Sequence, residues 1–314
     1  MTTRHILTFE TYDDWDLVPM MADYTIYNLP HGAALETLPK EAFELVEAFA
    51  FKGHDTLGAQ TMDAFPKLGM IANYGVGYDT IDVSYAASKG IKVSNTPDVL
   101  TDDVADLAVG MIIASSRDMT GAHMWVSSGN WAKNGAYPVQ RKVSGKRVGI
   151  VGLGRIGRSV AERLQPFGCD LHYYSRSPKE THGWTYHADI VAMAAAVDIL
   201  VLTLSGGPET AGIVGAEALD ALGPEGLLVN TSRGTTINEN ALLNALEART
   251  IRAAALDVFL NEPEIDPRFL ALDNVLLQPH QSSGTIETRK IMGQLQRDNL
   301  AAYFAGKPLL TPVV

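Results

Sequence analysis

Three residues of this chain have side chains suited to reducing a carbonyl group. They are Arg233 in Asn-Thr-Ser-Arg-Gly, Glu262 in Leu-Asn-Glu-Pro, and His280 in Gln-Pro-His-Gln. Each closely follows an apolar run (GLLVN, AALDVF and VLLQ), and open α/β sheets present ligand-binding groups at such strand ends. A guanidinium can hold a substrate carboxylate and polarise the neighbouring carbonyl, while a histidinium gives a proton to the carbonyl oxygen as hydride arrives. A carboxylate beside the imidazole favours its charged form. Taken singly, each has an ordinary structural reading: Arg233 in a salt bridge, Glu262 as a solvated loop acid, His280 as a core or turn histidine. Together they make up the set that reduction of a 2-oxo acid requires.

A hydride donor must then be bound nearby. Gly152-Leu153-Gly154-Arg155-Ile156-Gly157 directly follows the apolar run RVGIV and opens the helix-like segment GRSVAERLQPFG. Placed between strand and helix, this spacing fits a dinucleotide site. Gly152 permits the turn, Gly154 admits the pyrophosphate, and Gly157 allows close helix–strand packing, with the N–H groups of Arg155 and Ile156 at the helix start. The alternative is a glycine-rich turn alone. An acid that binds both ribose hydroxyls is expected about 20 residues further on. At that distance (175 − 152 = 23 residues) stands Ser175, followed by Arg176 and Ser177. Two hydroxyls around a guanidinium suit a ribose 2′-phosphate, and hence NADP with NADPH preferred over NADH; the alternative is a solvated surface arginine.

These residues need a scaffold of parallel strands. From Lys146 to Leu277, short apolar runs (RVGIVG, DLHYY, DILVLTL, GLLVN, RAAALDV, NVLLQ) alternate with helix-like segments, which predicts a parallel sheet covered by helices. A less regular alternation over the first ~95 residues, with HILTFE, ELVEAFAF, GMIANYG and IKVSN as buried strands, predicts a second, smaller α/β unit. Thr101-Asp102-Asp103 reads as a helix start, and Val104, Leu107, Ala108, Met111, Ile112 and Ser115 share one face of that helix as core. A last helix is predicted from about Thr285 to Ala305, ending at Gly306-Lys307-Pro308.

A chain of 314 residues exceeds what one core usually sustains, so two domains are expected. The net charge of −11, from 25 Lys and Arg against 36 Asp and Glu, disfavours nucleic acid and anionic membranes as partners. It also means that an anionic substrate needs specific local cations. The absence of any apolar stretch of ~20 residues, and of a leader-like start, leads to the expectation of a cytoplasmic protein. Cys169, the single cysteine, excludes an intrachain disulfide and a multi-cysteine metal site; no metal is expected.

The series NYGVGYDTID (73–82), VLTDDVADLA (99–108), GKRVGIVGLGRIG (145–157) and ALDVF (255–259), with the Arg, Glu and His segments, resembles the D-isomer-specific 2-hydroxyacid dehydrogenases over nearly the whole chain. YYSRS, ETRK at 287–290 and the terminal GKPLLTPVV are most similar to the NADPH-dependent hydroxypyruvate and glyoxylate reductases, including plant-type hydroxyphenylpyruvate reductases. The resemblance implies two doubly wound parallel-sheet domains. One is a flavodoxin-like substrate domain from residues 1–97 and 285–314; the other is a central Rossmann cofactor domain, 98–284. It further implies Arg233 as substrate-binding arginine, His280 as acid/base, Glu262 as its partner, and backbone N–H groups of Val76 and Gly77 on the substrate carboxylate. Asp257 would hold the nicotinamide carboxamide, and Thr231 and Ser232 would line the cofactor. A homodimer built on 101–127 is implied as well, with Trp131 either near the partner's active site or in core packing.

Two departures from that pattern stand out. Leu204-Ser205-Gly206-Gly207-Pro208 stands where relatives often have a proline followed by a hydroxyl residue beside the cofactor. Gln281-Ser282-Ser283 replaces the common Ile/Val-Gly-Ser. The resemblance also implies that the loop Ala50-Phe51-Lys52-Gly53 lies where side-chain selectivity is set, with either Phe51 or Lys52 facing the substrate. The expected activity is NADPH-dependent reduction of glyoxylate, hydroxypyruvate or an aryl-pyruvate to the D-2-hydroxy acid. The alternative from another class is a cofactor-sensing, corepressor-like binding protein on the same fold. The sequence shows no long polar tail or spare domain for partner display. Phosphoglycerate dehydrogenase fits poorly without a ribose-binding acid, and formate dehydrogenase fits poorly with Glu262 beside the histidine.

Overall fold

A computed structural model describes residues 4–53 and 55–314. Among the described residues, twelve strands form two sheets, and every strand pair is parallel. The chain divides into two compact units, Met1–Leu100 with Ser283–Val314, and Thr101–Ser282. The second unit begins where the helix Thr101–Arg117 starts and ends at Ser282, whose N–H and hydroxyl donate to Asp257 of the same unit.

The first unit holds β1 (Arg4–Phe9), β2 (Tyr24–Leu29), β3 (Ala48–Phe51), β4 (Met70–Asn73) and β5 (Lys92–Ser94), in the order β2-β1-β3-β4-β5. That is the flavodoxin-like order. Its core packs Phe49, Phe51, Phe65, Ile71 and Val93 between sheet and helices, with Phe9 edge-on to Phe49 and Phe51 at 5.2 Å. Half of ELVEAFAF is not a strand. Residues 44–45 close the helix Lys40–Leu45, and only Ala48–Phe51 enters the sheet.

The second unit holds β6 (Arg147–Val151), β7 (Asp170–Tyr174), β8 (Thr185–His187), β9 (Ile199–Leu202), β10 (Leu227–Asn230), β11 (Ala253–Leu256) and β12 (Val275–Leu277). Their order, β12-β11-β10-β9-β6-β7-β8, reverses direction at β6, as in a Rossmann sheet. Strands buried on both faces read as unbroken apolar runs, and β9, β10 and β11 are buried throughout. The helix Thr101–Arg117 lays Val104, Ala105, Ala108, Met111 and Ile112 into the core, while Leu107 and Ser115 sit at its margin. Among the described residues, no helix is long and apolar enough to cross a membrane.

The short edge strand β8 is tied to β7 by His172 Nδ1 and His187 Nε2, 2.9 Å apart. Two facing ring nitrogens share one proton, so a second proton breaks the contact. Burial, and then the neighbouring His172, push His187 below the ordinary histidine pKa. The unfolded chain therefore binds more protons than the folded one just below pH ~6.5, and stability falls as pH falls through that range. The thermal midpoint should drop between pH 7 and pH 5, and the drop should be smaller in His187→Gln. Equal slopes for both proteins would contradict this.

Candidate active site

The site of the second unit is built at the carboxyl ends of β6, β7, β10, β11 and β12. Gly152 directly follows β6 with φ +99°, which only glycine adopts without strain, and its N–H donates to the Tyr174 carbonyl at the end of β7 (2.9 Å). A Cβ on Gly157 would lie 2.2 Å from the Gly152 carbonyl oxygen, so the helix Arg155–Leu164 approaches the strand only because Gly157 has none. At Gly154 the space is open, and no side chain caps this helix's first turn. An uncapped helix start beside an open glycine is what a pyrophosphate needs: N–H donors and the positive end of the dipole.

Ser175, Arg176 and Ser177 follow β7. Ser175 is buried and donates its hydroxyl to the Ser177 carbonyl (2.6 Å), so it shapes the turn while Arg176 and Ser177 face solvent. The departure at 204–208 also ties itself down: Thr210 Oγ1 donates to the Ser205 carbonyl at 2.8 Å.

Asn230, the last residue of β10, organises the arginine turn. Its Oδ1 accepts from the N–H (2.9 Å) and hydroxyl (2.7 Å) of Ser232, and its Nδ2 donates to the Arg233 carbonyl (3.0 Å). Thr236 donates to that same carbonyl at 2.6 Å. Ser232 and Thr231 are buried, with the Thr231 hydroxyl on the Leu202 carbonyl. Both hydroxyls are thus committed to protein partners. A Cβ on Gly234 would fall 2.0 Å from the Phe259 carbonyl carbon. Glycine at 234 is therefore what lets the arginine turn pack on the segment that leads to Glu262.

Glu262 and His280 meet. His280 Nδ1 lies 2.6 Å from Glu262 Oε2, and Oε1 of the same carboxylate accepts the Phe259 N–H at 2.7 Å. Both side chains are largely but not fully buried, at 24% and 18% exposure. His280 has φ +50°, an uncommon left-handed conformation for a residue with a Cβ. Asp257 holds it there. The Asp257 carbonyl accepts the His280 N–H (2.8 Å), Oδ1 accepts the Gln281 N–H (2.8 Å), and Oδ2 accepts both the N–H (2.9 Å) and the hydroxyl of Ser282. The clamp uses Ser282, one of the departures noted above. The sequence signal for Asn230 and Asp257 is a polar residue closing a wholly apolar run.

In the first unit, the carbonyls of Gly75, Val76 and Gly77 are tied to the amides of Asn73 and Asn95. The N–H groups of Val76 and Gly77 donate to no protein acceptor among the described residues. Phe51 is 2% exposed and belongs to the core, whereas Lys52 lies at the surface margin. Trp131 is 64% exposed, which excludes core packing within this chain.

Residues 109–282, more than half of the chain, match the family model described as D-isomer specific 2-hydroxyacid dehydrogenase, NAD binding domain. The chain belongs to the D-isomer-specific 2-hydroxyacid dehydrogenase family. It is therefore an oxidoreductase by family. It is 44% identical to a hydroxyphenylpyruvate reductase of Plectranthus scutellarioides, over 97% of this chain and 96% of that protein. A solved 2-hydroxyacid dehydrogenase of Ketogulonicigenium vulgare is 48% identical with a TM-score of 0.92, covering 100% of this chain and 99% of that one. The NADPH-dependent glyoxylate/hydroxypyruvate reductase of Sinorhizobium meliloti, solved with NADP and malonate, is 41% identical with a TM-score of 0.93, over 100% and 97%.

Proposed function

We propose that this dehydrogenase reduces a small 2-oxo acid such as glyoxylate, hydroxypyruvate or an aryl-pyruvate to the D-2-hydroxy acid, using NADPH. The observation that carries the reading is the His280–Glu262 pair at 2.6 Å, with the His280 backbone held by Asp257 directly after β11. The open helix start at Gly154 fits a dinucleotide pyrophosphate, and the nicotinamide supplies the hydride when the cofactor is bound. Arg233 binds the substrate carboxylate and polarises its carbonyl. In the first unit, the N–H groups of Val76 and Gly77 are the donors that the family resemblance assigns to a substrate carboxylate. His280 donates a proton from Nε2 to the carbonyl oxygen, while Glu262 on Nδ1 fixes the orientation of the ring. Asp257 positions His280 and, with a lone pair to spare, accepts from the carboxamide. A corepressor-like role leaves the clamp on His280 without a purpose.

Arg176 selects NADPH. The Sinorhizobium meliloti relative is NADPH-dependent, and here an exposed arginine stands where an NAD enzyme places an acid. We also infer a homodimer in the cytoplasm. The helix Met119–Ser127 buries none of its residues in this chain, yet Met119, Met124 and Val126, and Trp131 just beyond it, are more than half exposed. A second copy covering this face gives twice the chain mass in sedimentation; a monomer at micromolar concentration would contradict it.

NADPH oxidation with glyoxylate, hydroxypyruvate and 4-hydroxyphenylpyruvate tests the reaction directly. His280→Ala should lower kcat by ~10²–10⁴-fold at saturating substrate. Near wild-type kcat in that variant would remove the role assigned to His280. In a second experiment, kcat/KM for NADPH should exceed that for NADH by roughly tenfold or more, the worth of a charge-assisted hydrogen bond. Arg176→Ala should raise KM for NADPH and leave NADH kinetics nearly unchanged. Because Arg176 is exposed, the preference should shrink as salt rises. Equal use of both cofactors at low salt would refute it.

A further inference from the structure

Arg141, Lys142, Lys146 and Arg252 line one open cleft of the second unit, together with the acids Asp198 and Glu225. The sheet sets its place in the fold. Lys146 directly precedes β6, Asp198 directly precedes β9, Arg252 directly precedes β11, and Glu225 stands two residues before β10. These four strands are neighbours in the order β11-β10-β9-β6 and run in the same direction, so the cleft lies across their amino ends. The glycine loop, the arginine turn and His280 stand at the carboxyl ends, where such sheets receive cofactor and substrate. The cleft is therefore separate from the candidate active site.

In a chain with a net charge of −11, several cations gathered at one cleft need a counterpart. The two acids there are already engaged. Asp198 accepts from the backbone N–H of Arg147 (3.0 Å) and from its Nη2 (2.8 Å), and the Arg147 guanidinium holds its carboxyl below the usual carboxylate range. Glu225 forms an ion pair with Arg141. Lys142, Lys146 and Arg252 are left without an ion pair among the described residues.

Arg252 shows most clearly that an anion is wanting. It is half-buried, and its Nε and Nη1 reach only the backbone carbonyls of Glu225 and Ser115, each at 3.4 Å, which is long for such a bond. A guanidinium carries five N–H donors, so three remain for another acceptor. Burial, and then the neighbouring Arg141, hold Arg252 below the ordinary arginine value, while Glu225 opposes that shift. Its charge has lost part of its water without gaining a carboxylate, an arrangement that costs free energy until an anion enters.

Phosphate suits this cleft better than a carboxylate does. Lys142, Lys146 and Arg252 together carry more positive charge than one carboxylate neutralises, whereas a phosphate group carries about two negative charges. Its oxygens also accept from a planar guanidinium and from ammonium groups at the same time.

We propose that this cleft is a phosphate-binding site, in which Arg252, Lys142 and Lys146 hold inorganic phosphate or the phosphate group of a small ester. The site does not depend on which 2-oxo acid the candidate active site takes.

Calorimetric titration of the NADPH-saturated protein with inorganic phosphate and with glycerol 3-phosphate, at constant ionic strength, tests it. NADPH fills the cofactor's own phosphate subsites, and constant ionic strength removes general screening as a cause. The wild type should bind phosphate saturably. Arg252→Gln and the double variant Lys142→Gln, Lys146→Gln should each bind it roughly tenfold or more weakly, as expected when charge-assisted hydrogen bonds are lost. The double variant keeps the test decisive if Arg252→Gln fails to fold, because Lys142 is exposed and Lys146 only half-buried. Tighter binding of the ester than of inorganic phosphate identifies the ester as the natural source, and the reverse identifies free phosphate. Equal affinity in the wild type and the double variant would overturn the proposal, since the phosphate would then sit elsewhere. So would a wild type without saturable binding. A matching loss of NADPH affinity in the double variant would overturn it as well, because the lysines would then only support the fold.

Discussion

The buried carboxylate of Asp257 is the anchor on which the candidate active site of the second unit depends. At 1% exposure it has left water almost completely, a loss that several hydrogen bonds must offset. It receives two donors from Ser282 and one from Gln281, while its own backbone joins β10 through the Asn230 carbonyl and His280 through the His280 N–H. A left-handed non-glycine residue costs of order 1–3 kcal/mol and persists only where its surroundings over-determine it. These contacts do that for His280, and the ring is aimed as a consequence. Glu262 then fixes the ring orientation of a histidine whose backbone is already set.

The same arrangement recurs elsewhere in the molecule: buried amides and hydroxyls spend their hydrogen bonds on the backbone so that a few groups are left presented. Asn230 holds the Arg233 turn, Ser175 shapes the turn that exposes Arg176, and Asn73 and Asn95 hold the carbonyls around Val76 and Gly77. Rigid support of this kind sets reacting groups in place before substrate arrives, which is how positioning contributes to rate. The global charge of −11 would oppose the anionic substrate proposed here, so in that reading these few presented cations and N–H groups act locally.

Much of this was legible in the sequence because the second unit's central strands are buried on both faces and read as apolar runs ending in polar residues. The glycine spacing around Gly152 and Gly157 was legible for a related reason, since backbone crowding leaves no other residue type possible. The edge strands were not. β2 is only half buried and β8 has three residues, so neither leaves a clear pattern. The clamp on His280 was equally hidden, since it joins Asp257 to residues 280–282 across loops without periodicity. Ser282 stood out only as a departure, and its bond to Asp257 gives that departure a physical sense. Ser175 had the expected type, but its hydroxyl turns back to the Ser177 carbonyl, a local choice that residue identity does not fix.

The central claim is that Glu262, 2.6 Å from His280 Nδ1, sets the imidazole in place for proton donation in the proposed reaction. The kcat of glyoxylate reduction at saturating substrate in the wild type and in Glu262→Gln tests it most directly. Glutamine keeps the shape but removes the charge and can turn its amide N–H groups toward Nδ1, so kcat should fall by roughly tenfold or more. A kcat for Glu262→Gln equal to that of the wild type would contradict the account.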